Sequence, residues 1–235
     1  MEIFNNGAKY LRFDSHLHTM ADKEFTYDNT NHDFIKNYIQ KLKDENIKVG
    51  IITNHNKFDK EEFVNLKKQA RKEEILLIPG AELSVKEGKN GIHILIAFSN
   101  DWISSGKDNI NTFLDSVFIG ISNRENENTR CKEDLTGVIQ LLDDFNLDYF
   151  IILAHVDNNS GLFTECDGGL IKSLFSNEKI KNRVLGLQKS TNRDNYKNFV
   201  EWTNKELARV EGSDPKKNRR SGERKEKIIF KNWKL

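Results

Sequence analysis

The sequence KVGIITNH at residues 48–55 joins a continuous apolar run to a polar ending that closes on a histidine. Residues 150–155 repeat this arrangement as FIILAH. An unbroken apolar run is typical of a strand that is covered on both faces, because a strand with one exposed face alternates apolar and polar residues. These two runs therefore predict a sheet covered by helices, as in a barrel or a doubly wound α/β domain.

Short apolar runs alternate with amphipathic stretches along the whole chain, which is typical of βα units around a parallel sheet. We predict seven strands, at residues 11–16, 48–54, 75–80, 93–98, 149–155, 184–188 and 207–212. Helical spacing of apolar residues or capping signals predict helices at residues 31–46, 59–72, 132–145 and 195–207. Residues 99–129 are rich in Asn, Ser and Asp, and we expect an excursion that is at most partly helical.

Composition excludes several classes of protein. The 235 residues include 37 Lys+Arg and 36 Asp+Glu, a formal net charge of +1, so the overall charge supplies no attraction to nucleic acid. The sequence has no apolar run of about 18 residues and no secretory signal pattern, so we expect a cytoplasmic protein with no membrane partner. Cys131 and Cys166 lie in no metal-binding spacing, and we expect both to be free thiols.

The composition changes abruptly after Asp214. Lys and Arg crowd residues 216–227, and residues 228–235 are apolar again. We therefore predict one catalytic or binding domain at residues 1–214 and a basic linker or tail at residues 215–235, which can lead to a further domain.

Five of the six histidines lie at or beside an end of a predicted strand: His16, His18, His55, His93 and His155. In parallel βα architectures the loops at the carboxyl ends of the strands converge, so polar residues there form one site. His93 instead begins its apolar run. It would reach the site only if its strand starts earlier, or if the preceding loop folds across the end of the sheet where the other histidines lie.

The residue types at these strand ends are those of a metal site. His16 and His18 lie two residues apart, so both imidazoles lie on one face of an extended segment. We expect Glu82 to be presented by a tight turn at residues 79–82, and Asp214 follows the last predicted strand. A single histidine at a strand end is more often simply hydrogen-bonded. The coincidence of five with two acids predicts a multinuclear Zn, Mn or Fe site, since a carboxylate can bridge two cations.

Five motifs follow one another along the chain: FDSHLHT at 13–19, IITNHN at 51–56, IPGAE at 78–82, AH at 154–155 and GSD at 212–214. Their order and spacing resemble those of the PHP family, the polymerase and histidinol phosphatase domain. The resemblance implies a distorted seven-stranded (β/α)7 barrel that holds divalent metals and hydrolyses phosphoesters. The opening GAKYLRFD at 7–14 is similar to PHP domains fused to AAA- or SMC-like ATPases, which implies an ATPase domain or subunit as a partner.

The resemblance implies two metal sites that share Glu82 as a bridge. The first also uses His16, His18 and Asp214, and the second uses His93 and His155. A third site in the family uses the equivalent of His55, a residue shortly after the HxH motif and a terminal histidine, but this chain has DKE at 22–24 and Lys216 at those places. Asn54 also stands where the family usually has Asp. We therefore expect two divalent ions, Mn, Zn or Fe, and an incomplete third site.

The implied chemistry is attack of an activated water at phosphorus, with Glu82 and Asp214 as catalytic residues. Two roles stay open for Lys216. Its ammonium group replaces a third cation beside a phosphate oxygen, or the residue belongs to a solvated basic run and has no role in the site. Asp14 likewise either orients a ligand imidazole or is an ordinary strand carboxylate.

We expect a phosphodiester of nucleic acid or a nucleotide as the substrate, because of the likeness to ATPase-fused domains. The candidate substrate-binding residues are Lys216, with the basic run that follows it, and Arg130, directly after the excursion. Two alternatives stay open: a monoesterase similar to histidinol phosphatase, and a module retained as a structural or docking domain. The sequence has no GxxxxGK[ST] motif, so the chain is not itself a P-loop ATPase.

Overall fold

Seven strands form one sheet whose spatial order follows the sequence. The computed structural model describes residues 10–27, 33–104, 106–189 and 195–214. The strands are β1 Arg12–Leu17, β2 Ile47–Ile52, β3 Leu76–Val85, β4 Ile92–Phe98, β5 Tyr149–Leu153, β6 Val184–Gln188 and β7 Ala208–Val210. All seven predicted strands are present.

Helices connect most of the strands and cover the outside of the sheet. They are α1 Phe34–Asp44, α2 Lys60–Lys72, α3 Asn109–Val117, α4 Leu135–Asp143, α5 Leu162–Glu165, α6 Gly168–Leu174, α7 Glu178–Arg183 and α8 Tyr196–Thr203, with a 3₁₀ turn at Asn100–Ile103. Aspartate side chains cap α1, α2 and α4, and at the predicted start of α2 the Asp59 side chain accepts the backbone N–H of Glu62. Helices α5 to α7 were not predicted, because each is too short to show helical periodicity.

The sheet is not wholly parallel, contrary to the prediction. Strand β4 pairs antiparallel with both β3 and β5, and the other neighbouring pairs are parallel. Only residues 86–91 separate β3 from β4, and so short a connection makes a hairpin, whereas a parallel crossover needs a dozen residues or more. The reversal explains the position of His93, since the first residues of β4 lie at the same edge as the last residues of the other strands.

Strand β3 is longer than predicted, and no turn forms at residues 79–82. The strand pairs with β2 as far as Pro79 and with β4 from Gly80 to Val85, so Glu82 lies within a strand. A Cβ atom on Gly80 would lie 2.6 Å from Ile51 Cγ2 and 2.7 Å from the carbonyl oxygen of Ile96. The Pro-Gly pair therefore marks a close approach between strands.

Hydrogen bonds between β1 and the segment after β7 close the sheet into a barrel. The backbone N–H of Ser15 donates to the Glu211 carbonyl at 3.2 Å, and that of Asp214 donates to the His16 carbonyl at 3.0 Å. These contacts place the segment after β7 alongside β1. The predicted seven-stranded barrel is confirmed.

Apolar side chains fill the barrel on both faces of its sheet. A small cluster of Ile51, Leu95, Ala97, Ile152 and Ala154 gathers residues from or beside β2, β4 and β5, and it packs against partly buried residues of β1, β3 and β7. The larger cluster joins the other strand residues to the helices. In the described part of the chain, no helix is both long enough and apolar enough to cross a bilayer.

Candidate metal centre

Glu82 lies at the centre of the five predicted histidines, which contact its two carboxylate oxygens as two separate sets. Its Oε2 lies 2.6 Å from His16 Nε2, 3.1 Å from His55 Nε2 and 3.5 Å from His18 Nε2. Its Oε1 lies 2.7 Å from His93 Nδ1 and 3.3 Å from His155 Nε2. The carboxylate is buried, with 1% of the residue exposed. It therefore has the position of a bridging group.

His16 and His18 lie on one face of the end of β1, as their spacing predicted. Their ring centroids are 4.8 Å apart, and both rings contact Glu82. Asp214 approaches the same pair, because its Oδ1 lies 3.2 Å from His18 Nε2. Its side chain is 23% exposed, so it marks the open edge of the centre.

Asp22 is part of the centre, although the sequence placed it only among three candidate residues at 22–24. Its Oδ2 lies 2.9 Å from His18 Nδ1 and 2.8 Å from His55 Nδ1, and it accepts the backbone N–H of His55 at 2.7 Å. The His18 and His55 rings are stacked, with centroids 4.5 Å apart. Asp22 therefore orients both imidazoles, with their Nε2 atoms toward Glu82.

Gln188 is a second buried residue of the centre that sequence reasoning missed. Its Oε1 lies 2.9 Å from His16 Nδ1 and accepts the backbone N–H of His155 at 3.1 Å. It gave no sequence signal beyond its position at the end of a predicted strand.

Asp14 binds backbone and does not orient an imidazole. Its Oδ1 accepts the N–H groups of His16 and Ser213, both at 3.0 Å. The residue holds the barrel closure beside the centre, in agreement with the simpler of its two predicted roles.

Both polar atoms of the Asn54 side chain bind Thr19, the residue directly after the HxH motif. Its Oδ1 accepts the N–H of Thr19, and its Nδ2 donates to Thr19 Oγ1, both at 2.8 Å. The Thr19 hydroxyl in turn donates to Glu62. Because a carboxylate could not donate to Thr19 Oγ1, these contacts favour asparagine over aspartate at this position.

The centre includes strained backbone. His155 and Asp214 have φ angles of 26° and 42°, in the left-handed region that non-glycine residues seldom adopt. Such conformations persist where the surrounding contacts impose them, and they cluster at functional sites.

Electrostatics keep the acids of the centre ionised. Burial opposes ionisation of Glu82, but the charges of His16 and His55 hold its pKa well below the usual range. Burial likewise opposes the ionisation of Asp22 and Asp214, whose pKa values are lowered by hydrogen bonds and charges of the neighbouring histidines. Burial disfavours charge on His18, yet its contacts with Asp214 and Asp22 raise its pKa to about 10.

The residues suit divalent cations in number, type and position. Three groups bring their ligand atoms within 4.8 Å of one another: His16 with His18 and Asp214, His18 with His55 and Glu82, and Glu82 with His93 and His155. His93 Nε2 and His155 Nδ1 are buried and have no hydrogen-bond partner among the described residues. Buried imidazoles and carboxylates in this arrangement could hold cations such as Zn, Mn or Fe.

The excursion forms one wall beside the centre. Asn56 is buried next to His55, and its Nδ2 donates to the carbonyls of Arg124, Asn126 and Thr129. A cavity of about 300 Å³ lies here, lined by Lys23, Glu24, Asn123, Glu125, Asn126 and Thr129.

Arg130, one of the two candidate substrate-binding residues, takes no part in these contacts. Arg130 is exposed, pairs through its backbone with Ser84, and donates from its guanidinium to the Lys89 carbonyl at 3.4 Å. Lys216, with the rest of the basic run, lies outside the described residues.

No family model and no curated protein matches this sequence, but solved structures share its fold. A protein from Bifidobacterium adolescentis, assigned as a metal-dependent phosphoesterase, is 9% identical with a TM-score of 0.59, and the match covers 88% of each chain. An amidohydrolase from Chromobacterium violaceum, solved with bound sulfate and no metal, is 13% identical with a TM-score of 0.55 over 86% of this chain and 87% of that one. PsfC from Pseudomonas syringae is also 13% identical, with a TM-score of 0.52 over 86% and 75%. The chain thus has a (β/α)7 barrel fold of the PHP and amidohydrolase type.

Proposed function

We propose that this protein is a PHP-type hydrolase that uses two divalent cations to cleave phosphodiesters of nucleic acid or nucleotides. The observation that supports it best is the division of five histidines between the two oxygens of Glu82. The oxygen Oε2 faces three imidazoles and Oε1 faces two. A carboxylate placed in this way suits a pair of cations, because it lowers their mutual repulsion.

The first cation would be held by His16, His18, Glu82 and Asp214, and the second by Glu82, His93 and His155. Bound cations would supply activation of a water molecule and neutralisation of charge on the phosphoryl oxygens. The His55 ring lies between two carboxylates: its Nδ1 contacts Asp22 Oδ2 and its Nε2 contacts Glu82 Oε2. These two contacts hold the ring in place. The ionised and partly exposed Asp214 can accept a hydrogen bond from a water molecule at the open edge.

The preference for a diester and for an ATPase partner comes from the sequence. The opening residues resemble PHP domains joined to AAA- or SMC-like ATPases, and the basic residues 216–227 follow a predicted ligand directly. Basic side chains attract the phosphate backbone of a nucleic acid. The cavity beside Asp22 offers room for substrate groups beyond the reacting phosphate.

A substrate panel with the purified protein and Mn²⁺ tests the proposal. It compares single-stranded DNA, RNA, a generic phosphate bis-ester and histidinol phosphate. We expect turnover of the diesters, and we expect Glu82→Gln to reduce it by at least about 100-fold, because the amide cannot serve as an anionic bridge.

Glu61→Gln is the matched control, since Glu61 is exposed in the first turn of α2. Turnover of histidinol phosphate alone would favour the monoesterase and would contradict the diester proposal. A protein that binds no divalent metal and cleaves none of the four compounds would instead be a structural or docking module.

A further inference from the structure

Gln188 joins three segments that bring predicted ligands to the centre. It is the last residue of β6 and is 2% exposed. Its Oε1 lies 2.9 Å from His16 Nδ1 and accepts the backbone N–H of His155 at 3.1 Å. Its Nε2 donates to the Gly212 carbonyl at 3.5 Å.

The two backbone contacts determine which way the Gln188 amide points. The N–H of His155 can only donate, so the atom that faces it must be the carbonyl oxygen. The carbonyl of Gly212 can only accept, so the atom that faces it must be the NH₂ group. Both contacts give the same orientation, and the opposite one would leave a buried N–H facing an NH₂ group.

This orientation determines which nitrogen of His16 holds the ring hydrogen. The atom that faces His16 Nδ1 is a carbonyl oxygen, which can only accept, so Nδ1 must donate. In the neutral imidazole the other nitrogen, Nε2, then has the free lone pair. That nitrogen lies 2.6 Å from Glu82 Oε2, which can only accept, so without a cation Nε2 donates to the carboxylate, and a bound cation would take the place of that hydrogen.

We propose that Gln188 is a positioning residue that keeps the hydrogen of His16 on Nδ1, so that Nε2 is the nitrogen His16 presents to a divalent cation. Tight packing maintains the arrangement. A Cβ atom on Gly212 would lie 2.5 Å from His16 Cβ and 2.7 Å from Gln188 Nε2, so the glycine lets all three residues meet. The inference rests on the proposed role of His16 as a metal ligand.

Nitrogen NMR of ¹⁵N-histidine-labelled protein with added Zn²⁺ tests the inference without any turnover measurement. The His16 signals are assigned by their loss in His16→Gln. We expect a slowly exchanging hydrogen on Nδ1 of His16 and none on Nε2. A hydrogen on Nε2 of the wild-type protein would overturn the inference, whatever the variants show.

Two variants separate the hydrogen bond from packing alone. Gln188→Leu removes the acceptor, and we expect the Nδ1 hydrogen to exchange at least about tenfold faster and Zn²⁺ affinity to fall about 10- to 100-fold. Gln188→Glu retains an acceptor for His16 Nδ1 and for the His155 N–H but loses the donor to Gly212, so it should keep the hydrogen on Nδ1 while its Zn²⁺ affinity lies between those of the wild type and Gln188→Leu. Gln40→Leu, at an exposed position of α1, is the control.

The outcomes distinguish this inference from the proposed function. If the wild-type protein binds no Zn²⁺, both are wrong. If it binds Zn²⁺ and Gln188→Leu keeps the wild-type affinity and hydrogen exchange, only the role of Gln188 is wrong.

Discussion

Asp22 contacts two imidazoles of the centre through a single oxygen atom, Oδ2. The same oxygen accepts the backbone N–H of His55, so an amide nitrogen placed there would face a donor. A carboxylate is the side chain that can accept all three contacts while it supplies a negative charge. At the scale of single residues, the orientation of the ligands thus depends on residues that are not themselves the predicted ligands.

Asp22→Asn should therefore weaken metal binding without unfolding the protein. The variant keeps an acceptor oxygen but loses the charge that holds His18 and His55. We expect the affinity for Mn²⁺ or Zn²⁺, measured by calorimetry, to fall about 10- to 100-fold. Asp44→Asn, at the exposed end of α1, is the matched control. An unchanged affinity in Asp22→Asn would show that these rings are oriented by packing alone.

Six of the seven residues predicted to ligate metal lie in one of the five motifs, and His93 was located as the histidine that begins an apolar run. Gln188 could not be located in this way. Its partner His16 is 172 positions away, and a lone glutamine at a strand end has no chemical signature. Asn54 looked like a departure from the family pattern, and only its contacts with Thr19 explain the amide.

At the scale of elements, the β3–β4 hairpin supplies Glu82 and His93 from adjacent antiparallel strands. The apolar run that begins at His93 was visible in the sequence, but its direction was not, because a buried strand has the same pattern in either direction. The length of β3 was also hidden, since Pro79 and Gly80 are usual turn residues and here lie within a strand.

Glu87 ties the loop of this hairpin to α4. The carboxyl group is buried, and it accepts the backbone N–H of Leu135 at the start of that helix. Burial raises the pKa of Glu87 from 4.5 to about 7. Between these two pH values the unfolded chain releases a proton that the folded protein retains, so the protonated group stabilises the fold at low pH. This contribution is lost as pH rises through about 7.

We predict that Glu87→Gln removes this pH dependence. The free energy of unfolding of the variant minus that of the wild type should increase between pH 4 and pH 8, by about 3 kcal/mol at most. Urea denaturation across this range measures the difference, with the exposed Glu201→Gln of α8 as the control. If the free energies of unfolding of Glu87→Gln and the wild type changed in parallel with pH, the pKa of Glu87 would be the same in the folded and the unfolded protein, and the prediction would be wrong.

At the scale of the whole molecule, the centre is completed only where the chain closes on itself. Asp14 accepts backbone N–H groups from His16 and Ser213, and the Asp214 N–H donates to the His16 carbonyl. The first and last predicted ligands are therefore held by the same contacts that close the barrel. The sequence predicted the barrel through its family resemblance, but these closing contacts join residues about 200 positions apart and leave no local pattern.

Asp14→Ala should destabilise the fold and weaken the centre together. The substitution leaves two buried backbone N–H groups without their acceptor, which we expect to cost roughly 2 to 4 kcal/mol in the free energy of unfolding. Asp14→Asn retains the acceptor oxygen and should lie close to the wild type. Urea denaturation and Mn²⁺ titration measure the two effects. Equal stability of the alanine and asparagine variants would contradict the role of Asp14 in closure.

Anomalous diffraction from crystals of the protein soaked in Mn²⁺ would show whether Glu82 lies between two cations, because it locates the ions without assuming any reaction. We expect two manganese peaks, one beside each carboxylate oxygen of Glu82, with His16, His18 and Asp214 around the first and His93 and His155 around the second. A single peak, or peaks that do not share Glu82, would contradict this expectation.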